Sequence, residues 1–447
     1  MWKRCESSTT SSPFWSDLSD RRAARRAAVA VLALAGLASS CNGILQRSRP
    51  ERVATFERIA RDGELMVGIA ETDITPTDDQ YLSGFDMNRI ATGVNLPLKA
   101  RAFVLVKGEL RVAIVGIDNL GMHREDVDWV KSGIGGFANG CVFVCASHTH
   151  AAPDLIGFWG WYLLTSGRDR GYLTFLRDRV AAAVAEAEAK AQPARLRHGI
   201  GRLPPRGIVK NSNFREVFDP RVHVVQAIGA DGAPIGALLH LACHPEVMRR
   251  QSSVMSADFV GALCDGWRAA GLGDAVFVNG ALGGMVTPDG WPRDEAGIAR
   301  VGGGMLAAAQ SALAAARDVS VDAVEVRRRD VYLPLDSMAL GLGRLTTTIP
   351  RELYGGLLKT GVGWLRIGDL EAVCVPGEIE PAFAEHLRRT LGKPKLMVFG
   401  LVDDEVGYLL SERDARSFDF AYERLMSPGA TAGELVIEAI VGPRGGS

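Results

Sequence analysis

The chain has 447 residues, with 51 Lys and Arg against 52 Asp and Glu, a formal net charge of −1. Near-neutrality excludes a general electrostatic affinity for nucleic acid. A content of 47% hydrophobic residues excludes disorder as the dominant state, and the length suits either about two to three domains or one large α/β unit.

The first residues differ in kind from the rest. Arg21, Arg22, Arg25 and Arg26 form a basic block ahead of an uncharged run from Ala27 to Ser40, too short to cross a ~30 Å hydrocarbon core as a helix. Ala38, Ser39 and Ser40 then lead into Cys41. Residues 1–41 therefore read as an export signal of bacterial lipoprotein type, with a lipid anchor on Cys41 and a periplasmic or cell-envelope destination, or otherwise secretion. Residues 42–64 read as a linker, and 65–447 as one large catalytic domain.

From there the pattern alternates short strands and helices. Met66–Ile74, Ala102–Val106 and Val112–Ile117 are expected strands, the last two joined by a turn at Lys107-Gly108-Glu109. Cys141–Ala146 is wholly apolar and suits a buried central strand. Tyr172–Ala191 has helical spacing. Val222–Ile228 and Ile235–Ala242 flank a second hairpin turn, Ala230-Asp231-Gly232-Ala233. Ala275–Val278 is a strand, Leu306–Ala316 a helix, and Trp364–Ile367 with Glu371–Val375 a third hairpin. Pro381–Thr390 begins with proline, as helices do, and Met397–Leu401 closes the series as a strand. Hairpins among helices predict a mixed α/β (α+β) fold, mixed sheets flanked by helices, and not a strictly parallel sheet. Beyond Cys41 the cysteines are Cys141, Cys145, Cys243, Cys264 and Cys374, without a CxxC pair. They suit buried apolar positions better than a disulfide framework or a Cys-rich zinc site.

Chemistry concentrates at expected strand ends. His148 and His150 follow Cys141–Ala146 and project to one side if the extended backbone persists. Such a pair suits a metal or acid–base work, and equally two hydrogen-bonded loop histidines. His244 follows another apolar strand, with His240 inside it suited to packing. Glu378 and Tyr408 each follow a strand in the same way. Two or three histidines with one glutamate and one tyrosine form a set that suits zinc. Asp258 and Glu246 are candidates for orienting such ligands, or solvated loop acids. The segment Asn279-Gly280-Ala281-Leu282-Gly283-Gly284-Met285-Val286-Thr287-Pro288 reads either as a structural turn or as a loop whose N–H groups bind an oxyanion, with Thr287 adding a hydroxyl. No GxSxG, HExxH, GxxxxGK[ST] or strand-following GxGxxG occurs, which removes the common serine hydrolase, zinc protease and nucleotide-binding patterns.

Ser147-His148-Thr149-His150 with Pro153, the His244 segment, Pro376-Gly377-Glu378 and Gly407-Tyr408, in this order, resemble the catalytic N-terminal domain of the neutral (non-lysosomal) ceramidases. The resemblance runs from about Met66 to Tyr408. It implies hydrolysis of an N-acyl amide with one Zn2+ held by His148, His244, Glu378 and Tyr408, and with His150 facing the substrate or assisting proton transfer. It also implies that Thr287 occupies the position of a reactive serine and Met285 that of an acid. The family's further C-terminal β-sandwich domain is not expected within these 447 residues. The implied substrate is a ceramide-like lipid or another N-acylated small molecule, with no obligate protein partner. Thr287 and Met285 motivate one rival, a catalytically silent envelope lipoprotein that binds lipid or glycan.

Overall fold

A computed structural model describes residues 46–442 other than 163, 164, 205, 215, 216, 291 and 347. The expected export segment and Cys41 lie outside the described residues. The elements below all belong to the unit that begins at Arg47.

Thirteen strands carry the architecture: β1 (Thr55–Ala60), β2 (Leu65–Asp73), β3 (Lys99–Lys107), β4 (Leu110–Ile117), β5 (Val142–Ala146), β6 (Gln192–Arg202), β7 (Arg221–Gly229), β8 (Pro234–Leu241), β9 (Asp274–Asn279), β10 (Val324–Leu333), β11 (Leu357–Ile367), β12 (Leu370–Cys374) and β13 (Met397–Phe399). Helices α1 (Arg124–Lys131), α2 (Arg170–Ala189), α3 (Asp258–Ala269), α4 (Glu295–Ala314), α5 (Pro381–Thr390) and α6 (Ala432–Val441) cover them.

One sheet runs β9-β8-β7-β6-β2-β3-β4-β5. Its neighbours are antiparallel except β8 with β9 and β4 with β5, which are parallel. The second sheet runs β1-β10-β11-β12-β13, antiparallel except for β12 with β13. Both sheets are mixed, and all three expected hairpins are present. The two sheets face each other through one apolar core, in which Phe103, Phe143 and Val276 meet Val326, Leu365 and Phe399. α2 covers the outer face of the first sheet at one end, α3 and α4 cover it at the other, and α5 and α6 cover the second sheet. Alternating faces thus become four layers, helix–sheet–sheet–helix.

Three local differences from the sequence reading have physical causes. Within the expected linker 42–64, Thr55–Ala60 forms a strand paired with β10. α4 begins at Glu295, well before Leu306. The Gly302-Gly303-Gly304 run reads as a breaker, but a Cβ on Gly302 would lie 2.7 Å from Ala262 Cβ and one on Gly304 2.4 Å from Ile208 Cδ1, so these glycines allow close packing. The strand β10 is hidden by Arg327, Arg328 and Arg329. Arg328 stacks over Phe143 and pairs with Asp403 at 2.6 Å.

The first sheet curls until its two ends meet. A Cβ on Gly116 of β4 would lie 2.5 Å from the Phe277 carbonyl oxygen of β9. The Asn279 side-chain amide donates to the carbonyls of Ser147 and Cys243, both at 2.8 Å. That residue therefore ties together the ends of β5 and β8, far apart along the sheet. The free edge of β5 is covered by residues after β13, through Ala146 N to Leu401 O at 3.2 Å and Asp403 N to Val144 O at 2.8 Å.

Candidate metal centre

His148 and His150 follow β5, and His244 follows β8. The extended backbone expected past Ala146 does not persist, because His148 turns to φ +70°. The rings still meet, because backbone bonds from His148 and Thr149 to the Asn119 carbonyl and from His150 to the Pro245 carbonyl fix the turn. Ring centroids of His148 and His150 are 5.2 Å apart, and those of His148 and His244 are 4.9 Å apart. The ligating nitrogens of His148, His150 and His244 all lie within 4.8 Å of one another.

Glu378 and Tyr408 follow β12 and β13 of the second sheet, on short strands Glu378–Ile379 and Tyr408–Leu409 that pair with each other, in parallel, as a separate two-stranded sheet. The Glu378 carboxylate sits between two histidines, Oε2 at 3.0 Å from His244 Nε2 and Oε1 at 3.5 Å from His148 Nε2. The opposite nitrogens are committed to backbone: His148 Nδ1 to Leu120 O at 2.6 Å and His244 Nδ1 to Val286 O at 2.7 Å. Both Nε2 atoms are thereby aimed inward, the arrangement by which metal-binding histidines are oriented. The Tyr408 hydroxyl donates to Met285 Sδ at 3.3 Å and adds to the groups that hold Glu378 ionised.

Electrostatics divide the histidines. Burial pushes His148 down to about 4, and burial together with its histidine neighbours pushes His150 well below the usual range. Burial opposes charge on His244 too, but the bond to Glu378 outweighs it and raises that imidazole. Glu378 is held ionised against its burial by His148 and His244.

His150 is the exception in this group. Both of its ring nitrogens are buried without a hydrogen-bond partner. Gly84, at φ +96°, packs where a Cβ would lie 2.5 Å from the His150 ring, and Phe85 meets that ring edge-on at 4.8 Å. Glu246 Oε2 lies 3.8 Å from His150 Nδ1. The loop carrying Glu246 is held by Asp258, whose Oδ2 accepts Val247 N–H at 2.9 Å and whose carboxyl burial pushes up to about 7.

Thr287 does not line the cavity. It is fully buried on the strand Val286–Pro288. Its hydroxyl donates to Glu246 Oε1 and accepts from Arg249 at 3.3 Å. The glycine-rich loop is also not an open oxyanion site at Gly283, whose N–H donates to Ile379 O at 2.9 Å. A Cβ there would lie 2.4 Å from the Glu378 carbonyl oxygen, so this glycine seats the loop against the strand bearing Glu378. Sequence reasoning missed Asn279 as a tie, Gly84 as a bed for His150, and Arg89, which donates to the carbonyls of Ser83 and His150. The strand-ending Asn-Gly pair was the one available signal among them.

His148, His150, Glu378 and Tyr408 open onto a cavity otherwise walled by Ile156, Phe158 and Trp159 among others. Fold and site together define a two-sheet α/β protein with a buried centre of three histidines, a carboxylate and a phenol. No protein-family model matches the chain. In sequence it is similar to a neutral ceramidase of Oryza sativa subsp. japonica, 25% identical over 218 residues, 44% of this chain and 28% of that protein. It is likewise 24% identical over 222 residues to the neutral ceramidase of Pseudomonas aeruginosa, covering 45% of this chain and 33% of that one. The matched stretches thus span about a third or less of these relatives' own length. The crystal structure of neutral ceramidase from Pseudomonas aeruginosa shares the fold, with a TM-score of 0.68 at 19% identity over 85% of this chain and 74% of that one. A ceramidase complexed with C2 gives 0.67 at 18% identity over 85% and 75%. The resemblance to neutral ceramidases carried by the four motifs therefore extends to the fold.

Proposed function

We propose that the chain hydrolyses the amide bond of an N-acylated lipid or related small molecule, with one zinc ion held by His148, His244, Glu378 and Tyr408. The observation that carries this reading is the Glu378 carboxylate wedged between two histidines whose Nδ1 atoms are both spent on backbone carbonyls. Imidazole, carboxylate and phenol are donors that suit zinc. When bound there, zinc supplies Lewis-acid polarisation of the substrate carbonyl.

The protein's own groups do the rest. His150, with both nitrogens unpartnered in the cavity wall, takes a proton from the attacking water and delivers one to the leaving nitrogen. Glu246 faces its Nδ1 and favours the imidazolium formed in between. Thr287 fixes Glu246 through its hydroxyl and is a positioning residue in this scheme, one step removed from the reacting atoms. The apolar walls exclude water and suit a hydrocarbon chain. The likeness to neutral ceramidases supports an amide of ceramide type. An export signal with a lipid anchor on Cys41 would keep the protein beside membrane lipids. Every group in the scheme comes from one chain, so no partner protein is invoked.

The test is zinc content and fatty-acid release from a panel of N-acyl lipids. His244→Ala loses both zinc and turnover. His150→Ala keeps zinc and loses turnover by on the order of 10²–10⁴-fold. Zinc and turnover both retained by His244→Ala, or no release by the zinc-loaded wild type, would overturn the reading.

A further inference from the structure

A second, smaller pocket, walled by Leu335, Ile349 and Leu358 together with Arg344 and Arg351, adjoins the first. The two share His123, Leu340, Glu405 and Val406 as wall residues. Among these four, Glu405 is chemically out of place. It is 7% exposed, and its Oε1 accepts the Gly407 N–H at 2.8 Å, yet its Oε2 has no partner. Space for this carboxylate is provided deliberately by the backbone: a Cβ on Gly121 would lie 2.7 Å from Glu405 Cβ and 3.2 Å from Oε2.

The nearby polar groups do not complete it. Arg351 is engaged by Asp404 at 2.5 and 3.0 Å and by Glu125 at 3.4 Å. His123 spends Nε2 on the Ile156 carbonyl at 2.9 Å and leaves Nδ1 without a partner, and burial lowers that imidazole well below its usual range, so it offers Glu405 no second N–H. A buried acceptor in a chamber wall lacks its donor until one arrives with a ligand.

We propose that Glu405 is a specificity-determining residue at the junction of the chambers. Its Oε2 accepts a hydrogen bond from a hydroxyl or ammonium on the amine half of the substrate, while the apolar walls take the chain. The position of the amine half rests on the amide-hydrolase reading above, but the donor-binding claim is testable without turnover.

Calorimetric binding to the zinc-loaded full chain would compare three probes of equal chain length: a long-chain amino alcohol, the alkylamine and the fatty acid. Glu405→Leu is expected to weaken the amino alcohol by at least about tenfold and to leave the fatty acid within about twofold. Glu405→Gln, isosteric and still an acceptor, recovers part of that loss. Weakening of the amino alcohol alone identifies a hydroxyl as the donor, and equal weakening of both amines identifies an ammonium. Equal weakening of all three probes, no weakening, or no binding of either amine by the wild type overturns the proposal. Amine binding lost in Glu405→Leu from a protein that cleaves no amide would sink the hydrolase reading alone.

Discussion

At Thr287 the hydroxyl is held by Glu246 and Arg249 and turned away from the cavity. A threonine in this setting acts through what it holds. Thr287→Val removes the donor while keeping the shape, leaving a buried Glu246 oxygen one partner short, a cost of about 1–3 kcal/mol in stability. Turnover should fall with zinc content unchanged, and Thr287→Ser should restore it. Metal analysis with steady-state kinetics checks this, and wild-type turnover in the valine variant would refute it. The residue types at the site were legible because each follows an apolar run and stands out from it. Which hydroxyl or carboxylate touches which imidazole was not, since Glu246 and Thr287 lie on different strands and loops and meet only in the fold.

Among elements, β6, β7 and β8 carry a second histidine cluster away from the candidate centre. His198 Nε2 lies 3.1 Å from His223 Nδ1, and His223 lies opposite His240 in the antiparallel register. Burial pushes His198 and His240 down to about 4. The unfolded chain, with histidines near 6.5, therefore binds more protons than the folded one between about pH 6.5 and 4. Stability from this cluster is present above that window and is lost as pH falls through it. A fully buried member contributes up to ~1.4 kcal/mol per pH unit, and the half-buried His198 less. His240→Gln should make the slope of unfolding free energy between pH 7 and 5 shallower than in the zinc-loaded wild type; parallel slopes would refute the cause given. Strand existence was well marked by apolar runs and turn pairs. Element ends were not: α4 was hidden by glycines that serve packing, and β10 by arginines whose partners Phe143 and Asp403 are distant in sequence.

Over the whole molecule, the candidate centre joins two sheets. Segments that follow strands of the first sheet supply His148, His150 and His244, and a two-stranded sheet that follows strands of the second supplies Glu378 and Tyr408. The proposed cation would bind only when both are docked, and would then stabilise the folded state by mass action, about 4 kcal/mol at a thousandfold excess over Kd. Chelation should lower the melting temperature by roughly 5 °C or more, and zinc should restore it; unchanged melting after complete zinc removal would refute this linkage. The mixed two-sheet fold was readable from hairpins interleaved with helices. The curl that brings β5 beside β9 was not, because Gly116, Phe277 and Asn279 carry no local mark of it. The order of the ligands along the chain also sets when the ion can be captured. His148 precedes Tyr408 along the chain, so a nascent chain would offer the proposed ion only an incomplete set of donors until Tyr408 is made. Loading with the proposed ion would then follow synthesis of Tyr408 and would draw on the metal supply of whichever compartment completes the folding.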